Sequence, residues 1–188
     1  TTEIYTLSLH DALPISEVRR GDLQVIMKRL KYMVLALLVF ILDQGTKLAV
    51  INSLTPGDEK EILPFFSLVH WQNRGGLWGF LGSASESVTF WIFLILPILG
   101  LVFLFYLFFT TREKLEMILI SLIIGGALGN ILDRIVHGAV TDFLYFFMPG
   151  GPAWPAFNAA DAFISTSLTV LLIKIVVTGE KKDAPDPA

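Results

Sequence analysis

Four long apolar runs, separated by one short and two longer connections that are charged or bear glycine, dominate the 188-residue chain. The first extends from about Tyr32 to Ile51 and is interrupted by Asp43, Gln44 and Lys47. The second, about Ser87 to Phe109, carries no charge. The third, about Leu115 to Ile135, ends among Asn130, Asp133 and Arg134. The fourth, about Phe157 to Val177, opens on Asn158 and Asp161 and has Lys174 near its end. Each run approaches or exceeds the roughly 20 residues a helix needs to cross the hydrocarbon of a bilayer, so the pattern predicts four membrane-spanning helices.

Between the first two runs, Phe65, Phe66, Leu68, Val69 and Trp71 lie close to Gly75 and Gly76. This mixture predicts a short strand or hairpin at the membrane interface. Trp71, Trp78, Trp91 and Trp154 are placed to form an aromatic belt. The segment GAVTDFLYFF, which carries Asp142, reads as a loop able to dip toward the membrane where protein covers it. The expected fold class is an all-α membrane protein, with four transmembrane helices and a small extracytoplasmic β-rich element.

Charge sets the orientation. Lys28, Arg29 and Lys31 precede the first run, Arg112 and Lys114 fill the gap between the second and third, and Lys181 and Lys182 follow the fourth. All three clusters fall on one side if every run spans, which predicts cytoplasmic termini and an extracytoplasmic polar cluster. The membrane domain is expected over residues 27–178, with a disordered cytoplasmic tail at 179–188. Residues 1–26 are expected to be a non-native or disordered leader. Their first part is polar, lacks helical periodicity and resembles translated adapter sequence, whereas Met27 followed by Lys28, Arg29, Leu30 and Lys31 reads as a native start. A genuine cytoplasmic tail is the alternative.

Composition narrows the chemistry. The chain is 54% hydrophobic and 16% charged, with a mean hydropathy of +0.67, beyond an ordinary soluble domain. A net charge of −3 offers no basic footprint for nucleic acid. The absence of cysteine removes disulfides, a thiol nucleophile and thiolate ligands. None of His10, His70 and His137 sits in an HExxH-type pair, so no metal or organic cofactor is expected.

An ionised carboxylate in a membrane helix costs about 2.5–3.5 kcal/mol on insertion scales, and Asp43, Asp133, Asp142 and Asp161 all lie in or beside the apolar runs. Asp142 and Asp161 sit at the two ends of one connection, at similar depth. Two carboxyls brought close hold one proton between them. Such a pair activates water and protonates a leaving amine, as peptide hydrolysis requires. Asn130 and Arg134, four apart, share a helix face, as do Asn158 and Asp161, three apart. Arg134 would supply a fixed positive charge, and the asparagines would orient the carboxylates.

Each of these residues also has a plainer reading. Asp133 competes for the catalytic role, or pairs with Arg134, Lys47 or a helix end; pairing is preferred because a loop carries Asp142 more easily to Asp161. Asp43 and Lys47, four apart, neutralise each other, with positioning of the substrate as an added role. Gly125, Gly126 and Gly129 suit close helix packing, and His70 and His137 read as bystanders. Other classes fit less well. A coupled carrier would show more spans and internal repeats. A structural subunit has no need of both Asp142 and Asp161. An intramembrane serine protease lacks its Gly-x-Ser-x-Gly motif.

Five motifs occur together and in order: DQGTK at Asp43–Lys47, NRGGLWGF at Asn73–Phe80, GGALGNILDR at Gly125–Arg134, GAVTDF at Gly138–Phe143 and FNAAD at Phe157–Asp161. In this order, over Met27 to Val177, the chain resembles the lipoprotein signal peptidase (signal peptidase II) family. The resemblance implies an aspartyl endopeptidase of the bacterial inner membrane. Its substrates would be prolipoproteins, cut before the diacylglyceryl-modified cysteine, and its partners these substrates and membrane lipids, with the enzyme a monomer. The family's catalytic pair maps onto Asp142 and Asp161, and its supporting polar residues onto Asp43, Asn73, Asn130, Arg134 and Asn158. Asn73 and Gly75 match the asparagine-glycine motif, but Gly76-Leu77-Trp78 is bulkier than the small residues that often follow. Lys47 and Asp133 complete the set of candidate supporting residues.

Overall fold

The computed structural model describes residues 15–75 and 85–182. In chain order its elements are α1 (Ile15–Ser53), β1 (Glu59–Leu63), β2 (Phe66–Asn73), α2 (Glu86–Thr110), α3 (Lys114–His137), β3 (Val140–Phe146) and α4 (Ala159–Lys182). All four helices contain a stretch long and apolar enough to cross a membrane: Arg29–Ser53, Ser87–Thr110, Lys114–His137 and Ala159–Val177. The four expected spans are present.

Two helices run past their expected bounds. α1 starts at Ile15, so the second half of the stretch read as a leader is helical, while residues 1–14 lie outside the described residues. α4 continues to Lys182, into the stretch read as a tail, and residues 183–188 lie outside. Gly76, Leu77 and Trp78, the bulky part of the asparagine-glycine motif, also lie outside.

α3 is the central helix. It packs against α1, α2 and α4. Its apolar window is 56% buried against 11% for those of α2 and α4, so only α3 is shielded by protein on most sides. Glycines make that position possible. A side chain at Gly125 would strike the Ala36 carbonyl of α1, and one at Gly126 would come within 2.8 Å of the Ala160 carbonyl of α4. Tyr32, Ala36, Phe108, Met117, Ile120 and Ile124 form the core between α1, α2 and α3. The outer faces stay apolar, as with Leu38, Leu42, Leu96, Val102, Leu172 and Ile175. Burial of each such side chain in lipid contributes roughly 1.5–3 kcal/mol, which fixes the bundle in the bilayer.

At the α2–α3 end, Arg29 donates to the Phe108 and Thr111 carbonyls and closes the last turn of α2. Lys174 pairs there with Glu113 and, at 2.5 Å, with Glu116. A cavity of about 660 Å³ opens beside them between α2, α3 and α4, lined by residues such as Gly100, Leu104, Ile123, Leu168 and Leu171.

The other end carries an antiparallel sheet in the order β1-β2-β3. β2 is the expected strand, and it forms a hairpin with β1, which lies before the residues expected to be extended. β3 corrects the reading of GAVTDFLYFF as a loop: Asp142 sits in a strand, directly opposite Trp71 of β2. β-Branched and aromatic residues give this segment high strand propensity. Pairing with β2 also satisfies backbone groups that a loop near the membrane would leave without partners. The Trp71 and Tyr145 rings lie 4.8 Å apart, tilted at 51°, within this sheet, while Trp91 and Trp154 are exposed.

Candidate active site

Three local structures bring the polar residues of the sequence together. α3 ends abruptly at Gly138, whose φ of 74° is left-handed and whose N–H returns to the Arg134 carbonyl. Glycine adopts that conformation without steric cost. The chain therefore enters β3 two residues later, with Asp142 beside the polar end of α3. After β3 the chain folds back, and Phe157 exchanges hydrogen bonds with Leu144 (2.8 and 3.0 Å). That pairing sets Asn158 next to Asp142 at the mouth of α4.

Asn158 then opens α4 by reciprocal capping. Its Oδ1 accepts from the Asp161 N–H at 3.0 Å, and its own N–H donates to Asp161 Oδ2 at 3.3 Å. This is the geometry of a capping box, with Asn and Asp in place of Ser and Glu. The free amide of the same side chain donates to Asp142 Oδ1 at 2.8 Å. Asn158, fully buried, thus holds both carboxyl groups.

Two further asparagines complete the arrangement. Asn73, at the end of β2, donates to Asp142 Oδ2 at 3.0 Å, and its Oδ1 accepts from the Gly75 N–H at 2.9 Å. Gly75 has a φ of 91°, and a side chain there would strike the Phe93 ring. Asn130 donates to Asp161 Oδ1 at 2.7 Å, and its Oδ1 accepts from Lys47 at 2.9 Å. In each asparagine the carbonyl oxygen is occupied, which turns the NH₂ group toward a carboxylate. All four carboxyl oxygens accept a hydrogen bond.

Asp142 is 3% exposed. Burial, then the charge of Asp161, raise its pKa to about 7, against the opposing donations from Asn73 and Asn158. Asp142 is therefore a carboxyl that keeps its proton into the neutral range.

Behind the pair lies a buried ionic cluster. Lys47 lies 2.8 Å from Asp43 and 3.2 Å from Asp133. Asp43 also accepts from the Ala160 N–H at 3.0 Å, and Asp133 from the Thr141 N–H at 2.9 Å. The cluster thereby ties α1 and α3 to the starts of α4 and β3. The pairing expected of Asp43 with Lys47 is present, and of the partners suggested for Asp133 the structure pairs it with Lys47 and not with Arg134. Arg134 makes no ion pair among the described residues. Its guanidinium donates to the Asn130 carbonyl at 3.3 Å, lies 6.0 Å from the Phe93 ring centre, and leaves a buried Nε without a partner among those residues.

All ten sequence-derived site residues thus converge at one end of the bundle. Gln44 was missed. Its amide donates to Asp43, the Gly129 carbonyl and Asp133 at 3.1–3.2 Å. Its position inside the DQGTK motif was the available signal. Gly129 likewise does more than pack helices, since a side chain there would strike the Asp43 carboxylate. His70 is buried and bonded to the Leu54 carbonyl at 2.8 Å, away from the pair. Among the described residues no group of three His, Cys, Asp or Glu side chains is placed to hold a metal ion.

The chain is similar to known proteins over most of its length. The family model described as signal peptidase (SPase) II matches residues 35–177. A lipoprotein signal peptidase of Aeromonas hydrophila is 41% identical over 157 residues, 82% of this chain and 93% of the relative. One of Alteromonas mediterranea is 35% identical over 160 residues, 85% of this chain and 87% of the relative. A solved bacterial membrane enzyme superposes with a TM-score of 0.70 at 28% identity, covering 84% of this chain and 94% of that one. A second does so with a TM-score of 0.66 at 30% identity, covering 77% and 92%.

Proposed function

This chain belongs to the signal peptidase II family, and from that premise we propose that it removes signal peptides from prolipoproteins with Asp142 and Asp161 as its catalytic pair. The observation that carries the assignment is Asn158, which hydrogen-bonds both carboxyl groups at once. A pair held this way contains one proton at neutral pH. The ionised carboxylate takes a proton from a water whose oxygen attacks the scissile carbonyl carbon. The protonated carboxyl gives its proton to the carbonyl oxygen, forming a gem-diol. Collapse breaks the C–N bond, and a proton passes to the leaving amine of the diacylglyceryl-modified cysteine. Arg134, with its unpartnered Nε, and the Asn73–Gly75 turn line the place where the substrate backbone would lie.

The protein is a multi-pass membrane protein. In our reading both termini are cytoplasmic and the pair faces outward, supported by Arg29, Arg112 and Lys114 at the end opposite Asp142. Every catalytic and supporting group comes from one chain, which supports action as a monomer. The signal helix and the diacylglyceryl chains enter laterally from lipid, and membrane lipid fills the apolar cavity between α2, α3 and α4.

The test is cleavage of a diacylglyceryl-modified prolipoprotein peptide by the purified protein. Asp142→Asn and Asp161→Asn should each abolish cleavage with the fold retained, whereas Asp133→Asn should keep measurable activity if it remains folded. Full activity in either of the first two variants would sink the assignment.

A further inference from the structure

We propose that Lys47, acting through Asn130, is a positioning residue that keeps the charge of the pair on Asp161 and leaves the proton on Asp142. The inference rests on the reading of Asp142 and Asp161 as the catalytic pair, and adds to it which carboxyl is the base. An ammonium has three donors and no acceptor. The three donors of Lys47 face Asp43 Oδ2 (2.8 Å), Asn130 Oδ1 (2.9 Å) and Asp133 Oδ2 (3.2 Å). The atom of Asn130 that meets Lys47 must therefore be its oxygen, and its NH₂ must point the other way, at Asp161 Oδ1, 2.7 Å distant. A flipped amide would set donor against donor on one side and oxygen against oxygen on the other.

The two carboxyls differ in what stands behind their donors. Asn73 and Asn158, which serve Asp142, have their oxygens held by the neutral N–H groups of Gly75 and Asp161. Asn130, which serves Asp161, has its oxygen held by a cation. A hydrogen bond backed by a charge is polarised and favours the ionised acceptor. Asp161 thus becomes the base that takes a proton from water, and Asp142 the acid.

Other charges also face Asp161. From α1, Asp43 opposes the ionised form, and its carboxylate is already committed to Lys47 and the Ala160 N–H. From α3, Asp133 is committed to Lys47, Gln44 and Thr141. Arg134 attracts both carboxyls, Asp161 more than Asp142, and so adds to the bias that Lys47 sets through Asn130. From β3, Asp142 is the partner in the pair.

The deciding variant is Asn130→Asp in the full chain, assayed on the lipidated peptide across pH. It is nearly isosteric and gives Lys47 a carboxylate in place of an amide oxygen, so a merely structural Asn130 would tolerate it. A positioning Asn130 would not, because the new oxygen faces Asp161 Oδ1. We expect a folded protein whose kcat falls about 100-fold, within the range that acid–base catalysis supplies, with KM within about threefold. The low-pH edge of the kcat profile should also move up by about one unit, as an added like charge demands. The double variant Lys47→Gln, Asp43→Asn changes the charge of the cluster by zero and should move the same edge in the same direction. A folded Asn130→Asp with the wild-type kcat and profile overturns the inference, as does a folded double variant with an unmoved profile. If the double variant does not fold, Asn130→Asp decides alone. Asp142→Asn and Asp161→Asn run beside them separate the two readings. Cleavage by either means the pair itself is wrong, whereas two inactive variants beside an unperturbed Asn130→Asp remove only the role of Lys47.

Discussion

The Asp142 carboxyl is buried in β3 and faces the charge of Asp161, and both conditions disfavour its ionised form. In the unfolded chain it would ionise near its ordinary value of 3.8; in the folded chain it holds its proton to about 7. Between those values the native state binds more protons than the unfolded state, so stability is greatest below the lower value and falls as pH rises through the higher one. The full difference has an upper bound of roughly 4 kcal/mol. Asn at this position never ionises, so the melting temperature of Asp142→Asn relative to wild type should rise between about pH 4 and pH 7 and level off above that. A difference independent of pH would contradict the assigned titration. Activity should respond to the same group from the other side, declining as pH passes about 7 and the acid loses its proton. The aspartates and asparagines were legible because each is costly in an apolar run unless partnered or used. Gln44 was not, since an uncharged amide beside Asp43 reads as a local interruption. The suggested Asp133–Arg134 pair failed on geometry, because successive residues of a helix point to different sides. Lys47, distant in sequence, was the partner that α1 and α3 bring within reach.

At the scale of elements, the glycines of α3 decide how closely its neighbours approach, and they are not equivalent. A methyl group at Gly129 would occupy the place of the Asp43 carboxylate, which holds both Lys47 and the Ala160 N–H. Gly45 of α1 is exposed, and a methyl group there would meet nothing within 4 Å. Gly129→Ala should therefore lower the melting temperature and reduce cleavage more than about tenfold, the scale expected when a buried charge loses its partner. Gly45→Ala should leave cleavage unchanged and stabilise the helix by about 0.5–1 kcal/mol. Thermal unfolding and the peptide assay on both variants check this, and equal effects would mean that Gly129 is mere packing. The four helices were legible from run length alone, and β2 from its apolar and aromatic residues beside Gly75 and Gly76. β3 was not, for two reasons. Gly138, Thr141 and Asp142 carry turn chemistry, and strand pairing depends on a partner, β2, that lies 67 to 80 residues away in sequence. Asp142 is held by a strand and two asparagines, so its place beside Asp161 is set by the fold.

The whole molecule is polarised along its axis. One end carries Arg29, Arg112, Lys114 and the Lys174–Glu116 pair; the other carries the sheet and every candidate catalytic group. The apolar surface between them lets the bundle lie across a bilayer in either sense, so the bundle's own packing does not choose its direction. The choice falls to lysine and arginine near the ends of the spans, which favour the cytoplasmic side, while Asp and Glu contribute little. By that rule we propose β1 outside and the α2–α3 connection inside. The chain offers a clean test because it has no cysteine of its own. Glu61, on β1, and Glu113, just before α3, are both exposed and lie outside the catalytic cluster. Replacing either leaves the lysines and arginines that set the orientation untouched, and Lys174 keeps Glu116 when Glu113 is changed. In intact bacterial cells a membrane-impermeant maleimide should label Glu61→Cys, whereas Glu113→Cys should react only after permeabilisation. The reverse pattern would put Asp142 and Asp161 on the cytoplasmic face, where a signal peptide could not be cut after its lipoprotein has crossed. Labelling of both in intact cells would mean that α2 or α3 does not span.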